Sequence, residues 1–338
     1  MIMGIHFKEP YHTIVSLDNL LEAWKEFIRG KRFRKDVQEF ERDLMKNIIS
    51  LHKDLVSKKY KHRPYQAFNI SDPKPRNIHK ASVRDRLLHH ALYRSLYPFF
   101  DRTFTSHSYS CRRNKGTHKA IDAFRSFAYK TSKNHTKTVW VLKGDIRKFF
   151  ASIDHSILIK ILESYIPDKD IVWVISEIVS SFHSTKEGVG LPLGNLTSQL
   201  LVNIYMNKFD QFVKHKLKAT HYVRYADDFA ILSRDKEWLE NLIPRMNEYL
   251  WNELKLEMHP NKIAIRTVAS GVDFLGWVLF PDHRIVRTVT KNRLFRSMRE
   301  SEYQDESVQS CLGLLSHSNA KGLIQRVLKY SEKQGRVK

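Results

Sequence analysis

Cysteine is scarce: Cys111 and Cys311 are the only two in 338 residues, far apart and without a CxxC partner. That pattern excludes a disulfide framework and a cysteine zinc site, and it reads as ordinary thiols in a reducing cytoplasm. Long apolar runs are also missing. No stretch approaches a membrane span, and no N-terminal segment has the form of a signal peptide. There is no internal repeat and no long flexible linker, so the parts should pack as one cooperative unit. Acidic residues are outnumbered, 36 Asp+Glu against 58 Lys+Arg, which leaves a net charge of +22 and a pI near 9.8. Such an excess favours a polyanionic partner, because each neutralised phosphate releases counterions. A plain basic face or an anionic membrane are the alternatives. No amphipathic basic helix stands out to favour the membrane, so nucleic acid is the better match.

What is present is ample core material. A hydrophobic content of 42%, with 12% aromatic residues, excludes a disordered chain. The most informative stretch is Tyr222-Val223-Arg224-Tyr225-Ala226-Asp227-Asp228-Phe229-Ala230-Ile231-Leu232. Two β-prone runs flank adjacent carboxylates, the pattern of a tight hairpin. Neighbouring aspartates repel, and holding them at a hairpin tip makes sense when a hard divalent cation sits between them and a third acid. An exposed Asp-Asp turn is the plainer alternative.

The remaining chain supplies the third acid. Residues 14–60 carry apolar positions at helical spacing and read as two helices broken near Arg29-Gly30-Lys31, with Lys31, Arg32, Arg34 and Lys35 as phosphate contacts or a solvated helix end. Residues 65–78 read as a β-hairpin turning at Ser71-Asp72-Pro73-Lys74-Pro75, followed by a helix capped at Ser82. A polar loop over 105–116 offers Arg112, Arg113 and Lys115 to grip a backbone and Tyr109 to stack, or it is simply a surface loop. An apolar strand from Thr138 ends at Asp145, where a rigid sheet can project a side chain into a cleft, or where the acid is an ordinary strand-terminal cap. Asp154 reads as a helix N-cap, and 156–184 as helical. Gly188 to Gln199 forms a Gly- and Pro-rich loop opening a helix, with glycines that permit close backbone approach. Further on come a helix over 236–254, a second hairpin over 271–287, and two basic helices over 291–300 and 307–330.

The ordered set of Asp145, the glycine loop with Ser198-Gln199, Tyr225-Ala226-Asp227-Asp228, Lys262 and Phe274-Leu275-Gly276 resembles the successive motifs of a reverse transcriptase palm. Upstream, Pro75-Arg76-Asn77-Ile78 and Arg84-Asp85-Arg86 extend the resemblance. Group II intron and retron enzymes usually carry Gln before the glycine of the fourth motif and Ser-Pro after it. Leu193-Gly194-Asn195-Leu196-Thr197-Ser198-Gln199 is instead similar to the reverse transcriptases of diversity-generating retroelements, as is Gly313-Leu314-Leu315-Ser316-His317-Ser318-Asn319.

The resemblance implies an α+β right-hand polymerase: fingers over 1–135, a palm of antiparallel sheet and packed helices over 136–285, and a helical thumb over 286–338. It implies two Mg²⁺ ions, with Mn²⁺ able to substitute, held by Asp145 and Asp227 with Asp228 nearby and the Ile146 carbonyl completing a shell. Lys74 and Arg76 would meet the triphosphate. Phe150 would exclude a ribose 2′-hydroxyl, or it is a ring in plain core, a role that Phe149 beside it could serve instead. Leu193, Gly194, Ser198 and Gln199 would line the nucleotide site. Lys262 would lie near the carboxylates or the phosphates. Phe274, Leu275 and Gly276 would support the primer end, or pack as an apolar hairpin under the thumb. The implied partners are template RNA, cDNA, deoxynucleoside triphosphates and a small basic accessory variability-determinant protein, with no membrane, in a prokaryotic or phage-encoded cytoplasmic setting. A retron-like or defence-associated enzyme and a catalytically silent RNA-binding scaffold are the alternatives; a silent binder has no need of three clustered acids.

Overall fold

The computed structural model describes residues 5–71, 75–301 and 304–332. Helices α1 (Tyr11–Ile14), α2 (Leu17–Phe27), α3 (Lys35–Arg42) and α4 (Leu44–Val56) open the chain. In α2 the buried residues Leu20, Ala23, Trp24 and Phe27 recur at helical spacing and form one apolar stripe. Over residues 14–60 three helices, α2, α3 and α4, stand where the spacing predicts two. The chain restarts at Ser16, whose hydroxyl accepts from the Asn19 amide (3.2 Å), and it breaks again at Asp43, which leaves the helical region of backbone space.

Strands β1 (Gln66–Ile70) and β2 (Arg76–Lys80) then pair antiparallel as the expected hairpin. Helix α5 (Val83–Asp101) begins at the predicted Ser82 cap, which accepts from the Asp85 amide, and α6 (Thr117–Thr131) follows. Next come β3 (Trp140–Asp145), α7 (His155–Glu163), α8 (Lys169–Val179) and α9 (Leu196–Gln211). The helical stretch expected after residue 155 is interrupted because Pro167 cannot continue α7. Asp168 recaps the chain, accepting from the Asp170 and Ile171 amides.

The central sheet adds β4 (Tyr222–Tyr225), β5 (Asp228–Ser233) and, beyond α10 (Lys236–Leu254), β6 (Ala264–Thr267). Its order is β4-β5-β3-β6, antiparallel throughout, as the α+β reading requires. Helix α9 is buried on nearly every side, with Leu200, Leu201, Ile204, Tyr205 and Phe209 in the main core. The glycine before Asp145 has a packing reason: a Cβ on Gly144 would stand 2.3 Å from Phe229, its register partner on β5. The aromatic ring fills the space that the glycine leaves.

Strands β7 (Val272–Phe274), β8 (Trp277–Leu279) and β9 (Arg284–Val286) form a three-stranded meander where a hairpin is predicted. With α6 and helices α11 (Thr288–Glu300), α12 (Asp305–Leu315) and α13 (Lys321–Glu332), they enclose a second core around Phe124, Phe274, Trp277 and Met298. The single helix expected over 307–330 is two. Asn319 leaves the helix to donate its amide to the Arg284 carbonyl (3.0 Å) and to accept from the Arg284 amide (3.2 Å). Among the described residues no helix is long and apolar enough to cross a membrane.

Candidate active site

The sheet brings the predicted acids together. Asp145 ends β3 and Asp228 begins β5, and the two are direct register partners. Tyr225 and Asp228 close the β4–β5 hairpin around Ala226 and Asp227, with Ala226 at a left-handed φ of +55°. Behind Asp145, the Ile146 amide donates to the Asp227 carbonyl (3.3 Å). The His259 amide donates to the Asp145 carbonyl (2.7 Å), and Arg147 donates its amide to the Glu257 carbonyl (2.9 Å). The segment before β6 is thereby fastened along the acid-bearing turn.

That fastening carries Lys262 inward. Its Nζ donates to Asp145 Oδ1 at 2.8 Å, so of the two positions left open by the sequence the carboxylates are the ones it occupies. Lys143 Nζ lies 3.9 Å from Asp228 Oδ1. The Asp227 carboxyl is pushed up to about 6, first by burial and then by the charges of Asp228 and Asp145. Unshielded negative charge is costly at this tip.

Among the described residues no three carboxylate, histidine or cysteine groups form a closed metal cage. The chemistry of the donor set nevertheless fits a hard dication: the groups are all oxygen donors, crowded, and destabilised by one another. An open set of crowded carboxylates is compatible with such an ion, because a catalytic Mg²⁺ site is normally completed by substrate oxygens.

Sequence reasoning missed the group that holds this hairpin. Arg224 is fully buried, with Nε and Nη2 donating to the two oxygens of Asp210 (both 2.7 Å). Its Nη1 donates to the Ala226 carbonyl (2.8 Å) and its Nη2 to Ser108 Oγ (3.0 Å). Tyr222 adds its hydroxyl to Asp210 Oδ1 (2.7 Å). The only signal was an arginine inside an apolar strand, which demands a buried partner without saying where that partner is.

The other expected residues divide. Arg76 stands exposed at the start of β2, while Lys74 lies outside the described residues. Phe149 is buried and Phe150 is only half-buried, packed edge-to-face with ring centroids 5.5 Å apart. Leu193 and Gln199 are half-buried, Gly194 is exposed at φ +100°, and Ser198 is buried in α9. Phe274 is fully buried against Phe124, whereas Leu275 and Gly276 form the β7–β8 turn with both φ positive.

Two residues offered as nucleic-acid contacts serve the interior instead. Arg112 donates to Asp101 Oδ1 (2.7 Å) and to the carbonyls of Thr105 (2.7 Å) and Ser108 (2.9 Å). Tyr109 is buried in the second core. Both were ambiguous because a loop sequence does not reveal which of its polar groups the fold consumes.

Residues 63–279 match the family described as Reverse transcriptase (RNA-dependent DNA polymerase). The chain belongs to the reverse transcriptase family. It is an RNA-directed DNA polymerase, and reverse transcriptases use divalent metal ions, template RNA and deoxynucleoside triphosphates. This reverse transcriptase is 26% identical over 278 residues to Protein YkfC of Escherichia coli (strain K12), with 70% of each chain covered. It is 22% identical over 329 residues to Group II intron-encoded protein LtrA of Lactococcus lactis subsp. cremoris, covering 75% of this chain and 52% of LtrA. It is 27% identical over 92 residues to Nuclear intron maturase 1, mitochondrial, of Arabidopsis thaliana, covering 27% of this chain and 12% of that protein. The reverse transcriptase therefore spans about half of LtrA and a small part of the plant maturase.

Proposed function

We propose that this reverse transcriptase copies a template RNA into error-prone cDNA, with errors concentrated at template adenines, for a diversity-generating retroelement. The observation that carries this reading is Leu193, a half-buried apolar side chain where intron and retron enzymes usually have glutamine. Glutamine can hydrogen-bond around a nascent base pair, whereas leucine offers shape without donor or acceptor. Discrimination then rests on sterics, and contacts worth about 1–3 kcal/mol in a polar site are forgone.

In this reading a primer 3′-hydroxyl, giving up its proton to solvent, attacks the α-phosphate of a deoxynucleoside triphosphate, and the bond to the β-phosphate oxygen breaks to release pyrophosphate. Asp145 and Asp227 would hold two Mg²⁺ ions, or Mn²⁺ in their place, with Asp228 and the Ile146 carbonyl as further oxygen donors. Bound there, the ions supply positive charge at the attacking and leaving oxygens. Lys262 keeps a positive charge against Asp145. Arg76 meets the triphosphate through its planar fork, aided by Lys74. Phe150 stands beside the sugar, Gly194 leaves room for a close approach, and Ser198 and Gln199 back the nucleotide pocket from α9. The Phe274-Leu275-Gly276 hairpin supports the primer end through its turn residues. Fingers over 1–135, a palm over 136–285 and a thumb over 286–338 divide the work. A small basic accessory protein and a cytoplasmic, prokaryotic or phage-encoded setting complete the proposal.

Leu193→Gln should lower misincorporation opposite template adenine more than opposite other bases. Sequencing cDNA made by both proteins from one RNA is the check. The relationship to LtrA favours a second reading, an intron-type enzyme with an accurate copy; a flat error profile in both proteins selects it. Phe150→Ala should raise ribonucleotide incorporation by about tenfold or more, since the lost ring opens space beside the sugar. Steady-state incorporation of ribo- and deoxyribonucleotides measures this, and an unchanged ratio in an active enzyme makes Phe150 a packing residue only.

A further inference from the structure

Strand β2 is an edge strand whose outer side would offer unpaired backbone groups, since among the described residues it pairs only with β1. At His79 that side is occupied. The His79 amide donates to the Leu193 carbonyl (3.1 Å), and the His79 carbonyl accepts from Asn195 Nδ2 (2.9 Å). A side-chain amide thus takes the place of the N–H that a third strand would present. Between the two bonds, the approach is so close that a Cβ on Gly194 would stand 2.8 Å from Ile78 Cγ2. The His79 ring packs edge-on against Phe182 with centroids 4.6 Å apart.

Asn195 makes this contact at a cost to its own helix. It is the N-cap residue of α9, a position where asparagine ordinarily turns its oxygen onto the helix amides. Here it makes no such cap. The residue is 2% exposed, and among the described residues its Oδ1 has no hydrogen-bond partner. Rotating the amide would set oxygen against the His79 carbonyl, so the His79 bond fixes which end points where. A buried acceptor left unsatisfied, at a position built to satisfy it, needs a reason beyond local stability.

We propose that Asn195 is a positioning residue that sets the register between the hairpin carrying Arg76 and the loop carrying Leu193, so that triphosphate contact and base-pair selection move as one unit. The inference rests on the reading in which those two residues meet the incoming nucleotide. Arg76 and His79 share β2, and Leu193 and Asn195 flank Gly194; the two bonds at His79 are what tie the segments together.

Asn195→Ser separates the roles. Serine is a good N-cap but its hydroxyl is too short to reach His79, so a purely structural role predicts a protein that is as stable as the parent or more so, with unaltered kinetics. On a defined RNA template with Mg²⁺, the expected result is an unchanged or raised melting temperature. The KM for deoxynucleoside triphosphate should rise by roughly tenfold, kcat should fall far less, and the error profile should change. In an Arg76→Ala background the same substitution should change that KM by less than about twofold, because coupled residues are not additive. A well-folded Asn195→Ser enzyme with parental KM and error profile overturns the inference, provided Arg76→Ala alone raises KM. Should Arg76→Ala leave KM unchanged, the nucleotide-site reading itself falls, and the inference with it.

Discussion

Asp227→Asn should abolish primer extension on an RNA template, by at least about a thousandfold, while making the metal-free protein more stable at neutral pH. The two effects have one cause. Burial, then Asp228, then Asp145 push the Asp227 carboxyl up to about 6 from its ordinary value near 3.8. The folded state therefore holds that proton more tightly than the unfolded chain does. Folding gains nothing from this group above pH 6; the penalty for its charge is absent below pH 4, grows as pH rises through the window between the two values, and is complete at pH 7. Its size is on the order of 1–3 kcal/mol. Asparagine removes the charge and with it the penalty. Urea titrations of metal-free proteins should show the variant more stable at pH 8 and the gap closing towards pH 4. Added Mg²⁺ should raise the melting temperature of the parent more than that of the variant. Near-parental extension by a folded variant would sink the catalytic assignment; a gap independent of pH would sink the account of the charge.

Much of this site was legible because its parts are local. An apolar run ending in an acid marked Asp145, a β-prone sequence around Asp-Asp marked the hairpin, and short-range capping patterns at Ser82 and Asp154 gave helix starts that the fold keeps. The contacts that position those parts are not local. Asp210 and Arg224 lie on different elements, Asn195 meets His79 across 116 positions, and Lys262 meets Asp145 across 117. No periodicity encodes such pairings. Helix breaks at Ser16, Asp43 and Asn319 escaped for a related reason. Ser16 and Asn319 are recognisable as breaks only from what their polar groups bond, and Asp43 only from its backbone conformation.

The largest effect on folding should come from Asp210→Ala. Asp210 and Arg224 are both fully buried and joined by two short charge-assisted bonds, and Tyr222 spends its hydroxyl on the same carboxylate. Alanine leaves a guanidinium in the interior with no counter-charge and a phenol with no acceptor. Breaking a buried pair in this way costs about 3–5 kcal/mol, far more than the pair is worth against an apolar replacement. The double variant Asp210→Leu/Arg224→Met tests that asymmetry, since it removes both charges and should recover most of the lost stability. It should not recover extension. Arg224 also donates to the Ala226 carbonyl, in the left-handed turn immediately before Asp227, and methionine cannot. A stable double variant should therefore show faster amide exchange across residues 226–228 and a drop in kcat, while the overall melting transition stays near that of the parent. Equal stability of Asp210→Ala and the parent would refute the buried-pair argument, and full activity in the double variant would show that the hairpin holds its acids without Arg224.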